Sequence, residues 1–317
     1  MKILNFASAN IDYVYDVNHI VQPGETISAK GMDIFAGGKG LNQSVAAAKA
    51  GGYVYHAGFI GCDGDFLVEI LQDSGADLKY TCRSENKNGH AMIQVNQNGE
   101  NCIIVFPGTN ALFTQTYIDE VLSDFSRDDI LIVQNEITNL SYAIESAYQK
   151  GMTIVLNPSP FEDKLKALDF NLISWLILNE TEAQGIFSTD DPRQIRTQIN
   201  DRYPQLKVVL TRGVQGCVCL TKNEILTYPA YQVEAVDTTA AGDCFTGYFV
   251  SLIAAGADYE NALKVASAAS AITVSRKGAA PSIPYIQEVN AALNTLKPYP
   301  HPEEPCCSLI KKPVLLY

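Results

Sequence analysis

Apolar and polar positions along this chain of 317 residues follow two alternating periods. Short, dense apolar runs occupy residues 2–7, 53–60, 130–134, 153–157, 175–178 and 208–211, the length and composition of buried strands. Between several of them the apolar positions recur at helical spacing. Leu41, Val45 and Ala48 share one face of a helix that Gly51-Gly52 ends, and Phe66, Ile70 and Leu71 mark another that stops near Gly75. Two longer helices are predicted over 242–255 and 259–275. Strands separated by helices imply βαβ units, hence an α/β fold with a buried parallel sheet and helices on both faces.

Two stretches break that alternation. Residues 26–35 read as extended after the turn signal Pro23-Gly24, and 91–96 and 101–106 flank Gln97-Asn98-Gly99-Glu100, a hairpin signal. We expect lid strands from about 12–35 and 88–107 in a small antiparallel sheet beside the main one; the alternative is an edge extension of the main sheet. The end of the chain differs again, with Pro298, Pro300, Pro302, Pro305 and Pro313 beside Cys306-Cys307. Proline at that density opposes regular structure. The expected organisation is therefore one folded unit over 1–297 and a Pro-rich tail over 298–317.

Composition narrows the class. Lys plus Arg total 23 and Asp plus Glu 35, a formal charge of 23 − 35 = −12, and 47% hydrophobic with 18% charged residues is globular rather than disordered. The acidic balance argues against nucleic acid or an anionic membrane as the main partner. No run reaches the ~18 apolar residues of a membrane span, and the N-terminus reads as a strand rather than a signal peptide, so a cytoplasmic protein is expected. None of the eight cysteines is spaced C-x-x-C, and His19, His56, His90 and His301 form no metal spacing.

Four strings carry candidate chemistry. Phe35-Ala36-Gly37-Gly38-Lys39-Gly40-Leu41-Asn42-Gln43 joins an extended segment to a helix start. Its glycines allow close backbone approach, and Lys39 with Asn42 within one turn suits an oxygen-rich small molecule. It matches neither a Walker loop nor G-x-G-x-x-G. Asp237-Thr238-Thr239-Ala240-Ala241-Gly242-Asp243 opens a long helix, and its small residues leave amide N–H groups bare for an anion. Asp243 then has two readings: a helix-dipole partner worth ~0.3–1 kcal/mol, or a general base beside an anion hole. Asn179-Glu180-Thr181-Glu182-Ala183 follows a strand, where α/β sheets bind ligands. Asn179 and Glu182 suit either a helix cap or the ordering of water around Mg²⁺. Asn10-Ile11-Asp12 puts Asn10 and Asp12 on one face of an extended segment, where they form a turn or grip sugar hydroxyls.

Taken together, GGKGLNQSVAAA, DTTAAGD, LNETEA, TRGVQG and Ser275-Arg276-Lys277-Gly278-Ala279-Ala280-Pro281-Ser282, in order from about residue 3 to 297, resemble the ribokinase family of ATP-dependent sugar kinases. The resemblance implies a three-layer α/β/α fold with a mostly parallel central sheet and a small β-sheet lid. It implies phosphorylation of a sugar hydroxymethyl group, D-ribose first, with ATP as co-substrate, Mg²⁺, and K⁺ as an activating cation. By the same resemblance Asp243 would be the base, and the amides of Ala240, Ala241 and Gly242 the anion hole. Asn10, Asp12, Gly38, Lys39, Asn42 and Glu136 would hold the sugar. Asn179, Thr211, Gly213 and Gly242 would line the nucleotide, with Asn179 and Glu182 ordering Mg²⁺ through water. Asp237, Thr239, Thr273, Gly278 and Ser282 would surround K⁺. Arg212 and the stretch Gly61-Cys62-Asp63-Gly64-Asp65 depart from the family pattern. A nucleoside kinase, with Phe106 and Phe113 as part of a base cradle, another pentose or hexose kinase of the same family, and a sensor that binds sugar without catalysis are the competing readings. An exposed lid edge suggests a homodimer.

Overall fold

The computed structural model describes residues 1–300. Thirteen strands and nine α-helices follow one another over this span. The strands are β1 (Ile3–Phe6), β2 (Asn10–Asp16), β3 (Gly31–Gly37), β4 (Val54–Ile60), β5 (Thr81–Arg83), β6 (Gly89–Val95), β7 (Asn101–Phe106), β8 (Ile130–Gln134), β9 (Thr153–Asn157), β10 (Trp175–Asn179), β11 (Lys207–Thr211), β12 (Cys217–Leu220) and β13 (Ile225–Tyr228). The helices are α1 (Lys39–Lys49), α2 (Asp65–Ser74), α3 (Gln115–Leu122), α4 (Leu140–Gln149), α5 (Glu180–Phe187), α6 (Pro192–Arg202), α7 (Ala241–Ala254), α8 (Tyr259–Val274) and α9 (Ile286–Ala292).

Nine strands form the main sheet in the order β13-β12-β11-β10-β9-β8-β1-β4-β5. All its pairings are parallel except those of β12 with β11 and β13. Successive side chains of a strand point to opposite faces, so the sheet feeds two cores. Ile3, Val54, Ile132, Val155, Ile177 and Val209 pack with α1, α2, α7 and α8. Leu4, Leu131, Leu156, Leu176 and Leu210 pack with α3, α4, α5 and α6 on the other side. The result is a three-layer α/β/α arrangement, as the runs of apolar residues predict.

The second sheet runs β3-β2-β6-β7 and stands apart from the first. It is a separate sheet rather than an edge extension, but it is not wholly antiparallel. Its central strands β2 and β6 pair in parallel, Asn10 opposite Gly89 and Asp12 opposite Ala91. They cannot be joined by a hairpin, and the chain between them contributes α1, β4 and α2 to the main body. Strand β3 begins at Gly31, not near residue 26. The segment before it folds on Glu25, which accepts from the Gln22 N–H and meets His19.

Of the tail expected over 298–317, residues 301–317 lie outside the described residues. Its first residues are not loose: Tyr299 N–H donates to the Ala230 carbonyl at 2.8 Å, and Pro298 bridges to Tyr231. Among the described residues no helix is long and apolar enough to cross a membrane.

Candidate active site

Strands β8, β9, β10 and β11 have apolar middles and end on polar residues, Gln134, Asn157, Asn179 and Thr211. Register pairs Gln134 with Asn157 and Asn179 with Thr211. A polar row therefore lies along the carboxyl ends of the sheet, where open α/β sheets bind ligands. Helix α7 begins above it. Ala240, just before α7, has φ +61°, a left-handed conformation that costs about 1 kcal/mol or more for a residue with a side chain. The N–H groups of Ala240, Gly242 and Asp243 have no acceptor among the described residues, while Ala241 N–H makes a long 3.3 Å bond to the Thr238 carbonyl. A cavity of about 210 Å³ opens here, lined among others by Lys39, Asn179, Glu182, Thr211, Gly242 and Asp243.

Asp243 is buried where α1 meets α7. Asn42 Nδ2 donates to its Oδ2 at 3.0 Å and Gln43 Nε2 to its Oδ1 at 2.9 Å. The close approach of the helices depends on Gly247: a Cβ there would lie 2.5 Å from Ala46 Cβ and 2.6 Å from the Gln43 carbonyl. Asn42 Oδ1 is buried with no partner among the described residues. It is a free acceptor next to the carboxylate, suited to a hydroxyl.

The lid sheet brings a second polar set to α1. Gly38 turns the chain at φ +90°, and a Cβ there would press on the Asn10 N–H. Lys39 N–H donates to Glu136 Oε2 at 3.0 Å, and Ser8 Oγ bonds the same oxygen. Asn10 Oδ1 accepts from Asn110 Nδ2 at 2.7 Å. Asp12 lies against Gly37, where any side chain would collide with its carboxylate. Burial pushes the Asp12 carboxyl up to about 7; Glu136 and Asp243 add to the rise and Lys39 opposes it. Burial also raises Glu136 against the pull of Lys39. For Lys39 burial works against the charge, but Asp243, Glu136, Glu182 and Asp12 outweigh it and hold the ammonium protonated.

Asn179 and Glu182 form a reciprocal cap on α5: Glu182 N–H donates to Asn179 Oδ1 at 2.9 Å, and Asn179 N–H to Glu182 Oε2 at 3.0 Å. Both also line the cavity, so capping and an opening toward a ligand coexist. Gly213 and Arg212 flank Thr211 but do not line the cavity. Asp237 accepts from the N–H groups of Thr239 and Gly278, both at 2.9 Å. Burial opposes its charge, yet these bonds and Lys277 hold its carboxyl below the usual range. The Thr273 and Ser282 hydroxyls donate to the Ala269 and Ala279 carbonyls, so their side chains are already engaged. Among the described residues no three His, Cys, Asp or Glu side chains gather as a metal site.

The profile of the pfkB family of carbohydrate kinases matches residues 2–286. The chain belongs to that family. It is a carbohydrate kinase of the ribokinase type. Across the family, the chain is similar to the ribokinase of Staphylococcus aureus strain COL, 35% identical over 300 residues, 91% of this chain and 98% of that one. Among solved structures it is similar to a ribokinase from Cryptococcus neoformans in complex with ADP, with a TM-score of 0.82, 32% identity, and coverage of 92% of this chain and 99% of that one. The Arabidopsis thaliana ribokinase complexed with ribose and ATP is similar at a TM-score of 0.80 and 28% identity, covering 92% of this chain and 98% of that one.

The two phenylalanines considered for a nucleoside's base do not come together as a cradle. Phe113 is buried in the core against Phe6, Phe59 and Tyr117. Phe106 pairs with His90, so it lies on the face of the lid sheet opposite Asp12. Sequence reasoning also missed residues. Gln43 was visible in the glycine string but had no partner to give it a role, and Gln134 and Asn157 became legible only as polar ends of apolar strands.

Proposed function

We propose that this carbohydrate kinase transfers the γ-phosphoryl group of ATP to the terminal hydroxymethyl group of a free pentose, D-ribose first, giving D-ribose 5-phosphate and ADP. The observation that carries the reading is the position of Asp243. It stands between the polar set of the lid and α1 and the bare amides at the start of α7. A hydroxyl brought in by the lid residues and a phosphate brought to the amides meet at this carboxylate.

In this reading Asn10, Asp12, Gly38, Lys39, Asn42 and Glu136 orient the sugar. Asp243 takes the hydroxyl proton as the oxygen bonds to the γ-phosphorus, and the bond to the β-phosphate oxygen breaks with ADP as leaving group. The amides of Ala240, Ala241 and Gly242 receive charge developing on the transferring group. Thr211 and Asn179 line the nucleotide, with Gly213 at the turn beside them. Glu182 offers a hard oxygen at the cavity, which fits Mg²⁺ held chiefly by phosphate and water; bound there, Mg²⁺ would neutralise phosphate charge. Asp237, Thr239, Thr273, Gly278 and Ser282 would hold K⁺ mainly through backbone carbonyls, because the hydroxyls of Thr273 and Ser282 are engaged. The lid forms a homodimer, and the enzyme works in the cytoplasm.

The test is ADP release with ribose, deoxyribose, fructose and nucleosides, for the parent and Asp243→Asn. Asp243→Asn is expected to bind ribose nearly as the parent does and to lose at least ~10² in kcat, the scale of general-base loss. Near-normal turnover would sink the assignment; ribose binding with no ADP release from any acceptor in the parent would favour a sensor. Runs in K⁺ and in tetramethylammonium at equal ionic strength read the cation site.

A further inference from the structure

Of the two side chains that donate to the Asp243 carboxylate, Asn42 also faces the sugar, but Gln43 has no part in contact with a substrate. We infer that Gln43 is a positioning residue for Asp243, and that side-chain amides anchored on two backbone carbonyls fix which end of its own amide faces the carboxylate. This rests on the reading of Asp243 as the base.

A glutamine can present either its NH₂ or its carbonyl oxygen, and only the NH₂ end supports a carboxylate. The direction is dictated step by step. The Gly40 carbonyl can only accept, so Asn5 turns its Nδ2 toward it, at 2.8 Å. That leaves Asn5 Oδ1 to accept from Gln134 Nε2 at 2.9 Å. Gln134 Nε2 also donates to Gln43 Oε1 at 2.8 Å, which turns Gln43 Nε2 onto Asp243 Oδ1. A second anchor agrees. Asn157 Nδ2 donates to the Ile177 carbonyl at 2.9 Å, so Asn157 Oδ1 faces Gln43 Nε2, at 3.2 Å. Reversing Gln43 would put its oxygen against the carboxylate and against Asn157 Oδ1, and its NH₂ against the Gln134 NH₂.

Asn5, Gln43 and Gln134 are fully buried, so each reversed contact would stand without water to relieve it. A side branch runs from Asn5 through Ser44 to His56. Burial holds the His56 imidazole down at about 3, so this branch carries no charge. The chain thus delivers one oriented N–H to the base, with Asn42 delivering the other, and the carboxylate plane is set before a sugar arrives. Preorganised donors of this kind matter for rate more than for affinity.

Gln43→Met keeps the length of the side chain and removes the donor. Expected are a fall in kcat of ~10-fold or more, a KM for ribose within about threefold of the parent, and an acidic limb of kcat displaced to higher pH, because ionised Asp243 loses a hydrogen bond. A purely structural role would lower the thermal midpoint and leave the limb in place. Gln134→Glu tests direction: its carboxylate accepts from Gln43 Nε2 and draws the amide away from Asp243, so the same displacement is expected with Gln43 present. Should neither variant fold, the parent protein decides. The Gln43 side-chain amide resonances, followed by selective ¹⁵N-glutamine labelling, should titrate with the acidic limb of kcat, and flat resonances overturn the inference. So does a folded Gln43→Met with the parent's kcat and pH profile while Asp243→Asn is inactive. Normal turnover by Asp243→Asn is the distinct failure, that of the base assignment.

Discussion

Asp12 shows how one buried carboxyl couples sugar binding to pH. Burial, with Glu136 and Asp243 nearby, raises it from 3.8 to about 7 against the pull of Lys39. The folded protein therefore keeps a proton there that the unfolded chain gives up near pH 4. The sign follows: this group's contribution to stability is complete below about pH 4 and is lost as pH rises through about 7. Among the described residues no hydrogen bond depends on its side chain, so Asp12→Asn removes the titration at little other cost. At 1.36 kcal/mol per pH unit the span is worth at most about 4 kcal/mol. Asp12→Asn is expected to exceed the parent in stability by about 1–4 kcal/mol at pH 8, with the difference shrinking toward pH 4. Urea midpoints across that range are the measurement, and parallel curves for the two proteins would refute the shift. Ribose affinity of the parent should weaken below pH 7, since protonated Asp12 offers a hydroxyl one acceptor fewer, whereas the affinity of Asp12→Asn should be weak and flat. The sequence shows that Asp12 and Asn10 share a face. It does not show the neighbours that set the proton, because Glu136 and Asp243 arrive from positions 124 and 231 residues away.

At the scale of elements, the site depends on how closely α1 and α7 approach. Gly247 sits at their contact, with the Gln43 carbonyl and the Ala47 N–H where a side chain would begin. Backbone atoms cannot move aside as a flexible side chain can, so Gly247→Ala forces the helices apart at a cost of about 1–3 kcal/mol. Because Asn42, Gln43 and Asp243 span the same contact, kcat should fall further than the stability loss alone accounts for at a temperature where the protein remains folded. A drop in the denaturation midpoint with kcat unchanged would separate the packing from the site. Strands β8 and β9 and the two long helices were legible in the sequence to within a residue, since each is one apolar run or one amphipathic period bounded by a turn. Strands β5, β12 and β13 were not. They are three or four residues long and lie at the edges of the main sheet or, for β12, next to one, where pairing with a neighbour, rather than a pattern of their own, makes them strands. The parallel pairing of β2 with β6 was equally invisible. A hairpin signal reports the local partner, β7, and carries no information about a strand 73 residues earlier.

For the whole molecule, the lid is where the −12 charge and the exposed apolar surface part company. Every residue of β7 is exposed, and four in succession are Ile103, Ile104, Val105 and Phe106. Met32 and Ile34 are exposed on β3, the opposite edge of the same sheet. Among the described residues neither edge strand pairs with a further strand, and β7 carries no Lys or Pro to discourage pairing. A second copy of the chain is the occupant the proposed dimer supplies, because an isologous contact lets each lid cover the other's apolar residues. Light scattering should give twice the chain mass across working concentrations, and a monomer mass throughout would refute the dimer. Ile104→Lys places a charge in the middle of β7, on the face opposite Asp12 and away from the sugar-holding residues. It should shift the mass toward the monomer. Since Asp12 rides on the same four-stranded sheet, loss of the partner should also loosen that sheet and raise KM for ribose more than it lowers kcat. A monomeric variant with an unaltered KM would show that the lid holds its place over α1 without help from a second copy.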